Sequence, residues 1–350
     1  MYTLIHGNYY VVGMSPDADS IKFRANNPDH WQLIDHDNER AFKKALNKED
    51  GVVTIRLQGI DALETHYTPP TIPTPKDVRE KARNVRRPSK GNHRQPHHLG
   101  ETATNTFLRN IGYSDIEWKS WGRNTWIDCA TLKKPDGSTI HCTDKYGDAL
   151  PGYVITRDIE RNGRPIGWVF IGTPPAADGT QLTPQEMGEL MADSENFQLV
   201  QQGVVYPFFY MTLPAAMRKP IYEAAQQAQQ TGKKNGTGCV WPHDNTINGV
   251  DLPDLTTLHE EHAIYPYLFR RIVRQWYGKT LLNFWESLRR GDTLPDFEDR
   301  SLDMTGFFDD ANPWLFVISE QDFVRLSDVL EVEKNRLKLR VYPYDLIFLS

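Results

Sequence analysis

Apolar and polar positions alternate in several short runs near the start of the chain. Val53, Ile55 and Leu57 alternate with Thr54, Arg56 and Gln58, which predicts a half-buried strand. Upstream, Tyr9 to Phe23 reads as strand, turn, strand, with Asp17 and Asp19 in the turn and Ile21 and Phe23 resuming the alternation. Trp118 to Thr143 alternates around a Pro135-Asp-Gly137 turn and reads as a hairpin, and Tyr153 to Thr156 is a further strand. Helical spacing falls in Glu39 to Leu46, Glu101 to Ile111, Thr183 to Gln202, Met217 to Gln230 and Leu258 to Trp285. Lys233 to Gly238 reads as a flexible hinge, and a strand (Trp314 to Ile318) and a hairpin (Val329 to Phe348) close the chain.

Chemistry is densest between Gly51 and Glu64. The strand carries Arg56 on its outer face, Gly59 breaks the pattern, and Asp61 and Glu64 follow in a short turn. Carboxylate oxygens suit a hard divalent cation and a guanidinium suits a phosphate, although an ordinary surface salt bridge uses the same residue types. A lone Asp-x-Asp is commonly turn chemistry. Here two acidic turns adjoin apolar strands, so Asp19 and Asp61 could supply two ligands of one metal site.

Four segments in order carry a family resemblance: Asp17-Ala-Asp-Ser20, Ile55-Arg-Leu-Gln-Gly-Ile-Asp-Ala-Leu-Glu64, Asn162-Gly-Arg-Pro-Ile-Gly-Trp-Val-Phe170, and Asn196-Phe-Gln-Leu-Val-Gln-Gln-Gly203. Together they resemble the staphylococcal nuclease (thermonuclease) family over roughly residues 9–240. The resemblance implies a β-rich α+β protein: an OB-fold β-barrel with packed helices in 1–240, interrupted by insertions at 29–50 and 65–99. Residues 241–350 then form a smaller C-terminal α+β domain that could bind a protein partner. It also implies a Ca²⁺-dependent nuclease hydrolysing phosphodiester bonds of DNA or RNA. Asp19, Asp61 and the Ala62 carbonyl would hold the metal, with Asp17 behind them. Glu64 would orient or deprotonate water, and Arg56 and Arg164 would clamp the phosphate. A second segment, Asp144-Lys-Tyr-Gly147, also matches the last signature, but Asp148 stands where the family has arginine, so Arg164 is assigned that role. Ala18 replaces a family glycine, which puts the turn geometry in question. The competing expectation is an OB module that binds nucleic acid or protein without cutting.

Charge refines this picture. The chain of 350 residues carries −6 overall, so attraction to nucleic acid must be local. Between Thr65 and Leu99 a proline-rich stretch precedes eight basic residues set against Asp77 and Glu80, a local charge of +6. Of these, Arg79, Lys81, Arg83, Arg86, Arg87, Lys90 and Arg94 are expected to contact phosphates from a mobile loop. His93, His97 and His98 are expected to be polar loop residues, and His259-Glu-Glu-His262, whose spacing is wrong for a zincin, a charged helix surface. Three scattered cysteines offer no disulfide framework, and neither a secretory signal nor a membrane-length apolar run is present, so a cytoplasmic location without membrane contact is expected.

Overall fold

Five strands close on themselves: β1 (Tyr2–Tyr10), β2 (Ser20–Ala25), β3 (Val52–Leu57), β4 (Leu150–Ile159) and β5 (Pro165–Ile171). In the computed structural model, which describes the chain apart from residues 37, 49, 122–123, 135, 236–238, 296–298 and 350, β1 pairs with β2, β2 with β3, β3 with β5, β5 with β4, and β4 returns to β1. Only the β3–β5 pair is parallel; the others are antiparallel. The result is a closed five-stranded barrel, consistent with an OB-like barrel, in a strand-rich α+β protein. The alternation read from the sequence is the alternation of burial: Ile21 and Phe23 on β2, and Val53, Ile55 and Leu57 on β3, are almost wholly buried.

The chain divides into two compact units, Met1–Ala62 with Gly100–Pro242, and Leu63–Leu99 with His243–Leu349. In the first, residues 29–50 form a short 3₁₀ turn, a brief strand and the helix Glu39–Lys48. They attach through aromatic edges running from the barrel outward: Tyr9 to Phe23, Phe23 to Trp31, and Trp31 to Phe42, with centroids 5.0, 6.3 and 5.7 Å apart. The expected hairpin is a three-stranded meander, Tyr113–Trp121, Asn124–Lys133 and Thr139–Cys142; Pro135 of its turn lies outside the described residues. The helix Ala215–Asn235 covers the start of the expected hinge, whose residues 236–238 also lie outside them. The helices Glu195–Gln201 and Ala215–Asn235 pack on one another.

In the second unit the helix Pro266–Arg290 is the organising element. Proline opens it, and Gly291, at φ +76°, closes it in the left-handed conformation that glycine adopts at least cost. Its buried face (Tyr277, Leu281, Phe284, Trp285, Leu288) packs around Val78. Ile72, Ala82 and Val85 add to that cluster, so residues 65–99 bury an apolar stripe instead of standing off as a solvated loop. Several of their cations serve the same packing. Lys81 donates to the carbonyls of Leu288 and Arg289 at the end of the long helix, at 2.8 and 3.0 Å. Arg87 donates to the Ile72 carbonyl and Lys90 to the Thr71 hydroxyl, in the proline-rich stretch where backbone donors are scarce. Arg94 pairs with Glu260 at 3.2 Å. Arg79, Arg83 and Arg86 are exposed, with Arg83 on Glu80.

The two histidine expectations also change. His93 and His259 are an inward-facing pair, Nδ1 to Nε2 at 3.1 Å, and burial holds the His259 imidazole down at about 4. Among the described residues no helix is long and apolar enough to cross a membrane.

Candidate active site

Strand β3 delivers Arg56 and the turn after it delivers Asp61. Gly59 makes that turn possible at φ +80°, with the Ile221 side chain only 3.0 Å from where a Cβ would stand. Beyond the turn, Ile60–Asp61 pairs antiparallel with Tyr206–Pro207, Asp61 opposite Tyr206, which fixes the backbone that carries the acid. On the other side of β3, Ser20 lies opposite Arg56, and the Asp19 carbonyl accepts from Leu57 N at 2.8 Å. Ala18 meets the turn with an ordinary φ, so alanine introduces no backbone strain there.

These elements bring Asp19, Arg56 and Asp61 together. Arg56 spans both acids, Nη1 to Asp19 Oδ2 and Nη2 to Asp61 Oδ1, each at 2.8 Å. Ala62 N also donates to Asp19 Oδ2, at 3.1 Å. Both carboxylates are buried, and the Arg56 side chain keeps one-fifth of its surface exposed. Burial pushes the Asp19 carboxyl up, Arg56 pulls it down, and Asp17 and Asp61 push it up again. Two buried acids with a third beside them concentrate carboxylate oxygens around Arg56.

Among the described residues no group of three or more His, Cys, Asp or Glu could hold a metal. A metal here would rest on two carboxylates completed by backbone and water oxygens, a mixed oxygen shell that Ca²⁺ accepts. The donors are all oxygens, the type that hard cations take, and the trio supplies no nitrogen or sulfur ligand.

The other residues singled out in the sequence stand apart from this trio. Arg164 stands just ahead of β5, two residues before Ile166, which is the parallel partner of Arg56, and it is ion-paired with Glu160. The turn ahead of it is held by Gly163, at φ +84°, where a Cβ would lie 2.6–2.8 Å from the Ala41–Phe42 backbone. Asp148, the rival position, belongs to the fold. It is fully buried, and its Oδ2 accepts from Val11 N and Val12 N at 2.6 and 3.0 Å.

Glu64 belongs to the second unit, where its carboxylate sits 2.5 Å from Arg270 Nη1. Two further partners went unread in the sequence. Arg270 lies 206 residues from Glu64, beyond any local signal. Asn196, quoted only as part of a helical segment, clasps the β3–β5 region: it accepts from Val169 N at 3.0 Å and donates to the Gln58 and Gly167 carbonyls at 2.9 and 3.0 Å. No protein-family model matches the sequence, and no curated protein matches it at a significant level, so likeness to known proteins establishes no family for this chain.

Proposed function

We propose that the first unit is a Ca²⁺-dependent phosphodiesterase of the staphylococcal-nuclease type that cleaves DNA or RNA. The observation that carries this reading is Arg56 bridging two buried carboxylates at the end of a strand of a closed, OB-like barrel. Asp19, Asp61 and the Ala62 carbonyl would hold the ion, with Asp17 adding negative charge. Ca²⁺ held by these residues would supply Lewis-acid polarisation of a phosphate oxygen and offset the charge spread over the phosphoryl oxygens. Arg56, already oriented by the two acids, donates to a phosphate oxygen. Arg164 exchanges Glu160 for a second phosphate oxygen. In this arrangement the protein's part is charge placement, which in phosphoryl chemistry is most of the catalysis.

Arg56→Ala and Asp61→Asn should each lower turnover by about 10²-fold or more in a folded protein. Wild-type rates in either variant would refute the assignment.

One observation favours a second reading, an OB module that binds nucleic acid or a protein partner without cutting it. Arg56, Arg164 and Glu64 are all engaged in ion pairs within the chain. Tight oligonucleotide binding with no cleavage product under any divalent ion would establish that alternative.

A further inference from the structure

Among the half-buried arginines of the described residues, Arg24 on β2 of the first unit is the exception. Arg56, Arg157, Arg164 and Arg270 each hold a carboxylate, and Arg87, Arg218 and Arg271 each hold a backbone carbonyl. Arg24 meets aromatic rings instead. Its guanidinium carbon lies 5.4 Å from the Tyr10 ring centroid and 5.1 Å from that of Tyr146. Burial raises the Tyr10 phenol above its usual range, and Arg24 acts against that by its charge and by a hydrogen bond. The Nε of Arg24 is buried without a partner, and among the described residues no carboxylate pairs with the group.

A second cation shares one of these rings. Lys145 is exposed, and its Nζ stands 4.9 Å from the Tyr146 centroid. The two tyrosine rings themselves meet edge to face at 5.4 Å. Tyr146 holds φ +67°, a left-handed backbone that costs a bulky residue energy, so the turn is strained in the conformation that sets its ring beside both cations. Contact with an aromatic face holds a cation in place without neutralising it.

Strand register ties this cluster to Arg56. Ser20 lies opposite Arg56, Lys22 opposite Thr54, and Tyr10 opposite Lys22, so Arg56, Lys22, Arg24 and Tyr10 share the outer face of the barrel. Ser20, Lys22 and Thr54 are half-buried, and the face reaches solvent between the two arginines. Four steps of strand carry the chain from Ser20 to Arg24, about 13 Å. One phosphate cannot span that distance, whereas consecutive phosphates of a single polynucleotide strand can.

We propose that Arg24 and Lys145, steadied by the Tyr10 and Tyr146 rings, bind a backbone phosphate of a nucleic-acid strand that follows β2 away from Arg56. The proposal rests on the phosphodiesterase reading for its substrate and adds where that substrate runs, wholly within the first unit. A planar guanidinium fork matches phosphate oxygens, and the lysine ammonium adds a compact charge beside it.

The test is the affinity of an oligothymidylate of about 20 nucleotides as a function of salt, measured in chelator so that no turnover interferes. For single strands each lost phosphate contact flattens the log–log salt slope by about 0.7. Arg24→Gln and Lys145→Gln should each flatten it by about 0.7, and the double variant by about 1.4. Arg24→Lys, which keeps the charge, should keep most of the slope. Lys219→Gln removes an exposed cation of the helix Ala215–Asn235 and should leave the slope unchanged. Melting temperatures identify a variant that fails to fold, and Lys145→Gln, altering an exposed side chain, keeps the test decisive if Arg24→Gln does. An unchanged slope in either folded single variant overturns the proposal, as does an equal flattening in Lys219→Gln, even if the wild type cleaves DNA with Ca²⁺. Flattened slopes at Arg24 and Lys145 in a protein that never cleaves uphold the subsite and refute the phosphodiesterase reading instead.

Discussion

Glu195 opens the helix Glu195–Gln201 with a carboxyl group that is 8% exposed, and burial pushes it up to about 7. In the unfolded chain the same group ionises near 4.5. Between those values the folded protein keeps a proton that the unfolded chain has lost. Its contribution is therefore most favourable below pH 4.5 and declines as pH rises through 7, by about 3 kcal/mol in all. Glu195→Gln should lose this dependence and melt higher than wild type at pH 8; parallel melting curves for the two proteins from pH 5 to 8 would contradict it. Asp148 shows how a residue can be misread at this scale. In the sequence it only stands where the resembled family has arginine. In the structure its carboxylate accepts two backbone N–H groups from the end of β1. Asp148→Ala strands both donors and should cost about 2–4 kcal/mol, seen as a lower denaturant midpoint at unchanged slope. Arg56, Asp19 and Asp61 were legible because one strand, its partner and one turn carry them. The Glu64–Arg270 pair was not, since its halves meet only after 206 residues.

At the scale of elements, the parallel β3–β5 pair holds Arg56 in place, and Asn196 reaches three backbone groups of β5 and the turn after β3. Asn196→Leu removes all three hydrogen bonds inside the protein and should cost about 3 kcal/mol. A melting temperature unchanged from wild type would show that the clasp is dispensable. Residues 65–99 teach a different lesson. Proline and charge predicted a loop with little to bury, yet Ile72, Val78, Ala82 and Val85 share one core with the long helix. Four apolar residues scattered over fourteen positions match neither period closely, so only the folded partner reveals them as a face. The segment should accordingly resist brief trypsin treatment at Arg83 and Arg86 in wild type and be cut in Val78→Asp, where a buried unpaired charge disrupts that core. Equal cleavage of both proteins would mean that the packing contributes nothing.

At the scale of the whole molecule, the strands of the barrel were readable because period-two burial is local. The division into units was not, since residues 63–99 join a partner segment that begins at residue 243. With an overall charge of −6, any attraction to nucleic acid would have to come from local groups such as the exposed Arg79, Arg83 and Arg86. Other cations of the basic segment are occupied in holding its own unit together. Arg164→Ala, by contrast, should leave the melting temperature almost untouched and lower turnover by about 10²-fold, because its present ion pair with Glu160 is partly exposed and contributes little.

The most direct measurement is digestion of end-labelled DNA and RNA by the purified protein across a calcium titration, with a chelator control. Cleavage that rises with Ca²⁺, stops in chelator and disappears in Arg56→Ala is the result expected of an arginine-bridged carboxylate pair that binds calcium. Cleavage indifferent to exhaustive chelation, or intact substrate at every divalent ion concentration, would contradict it.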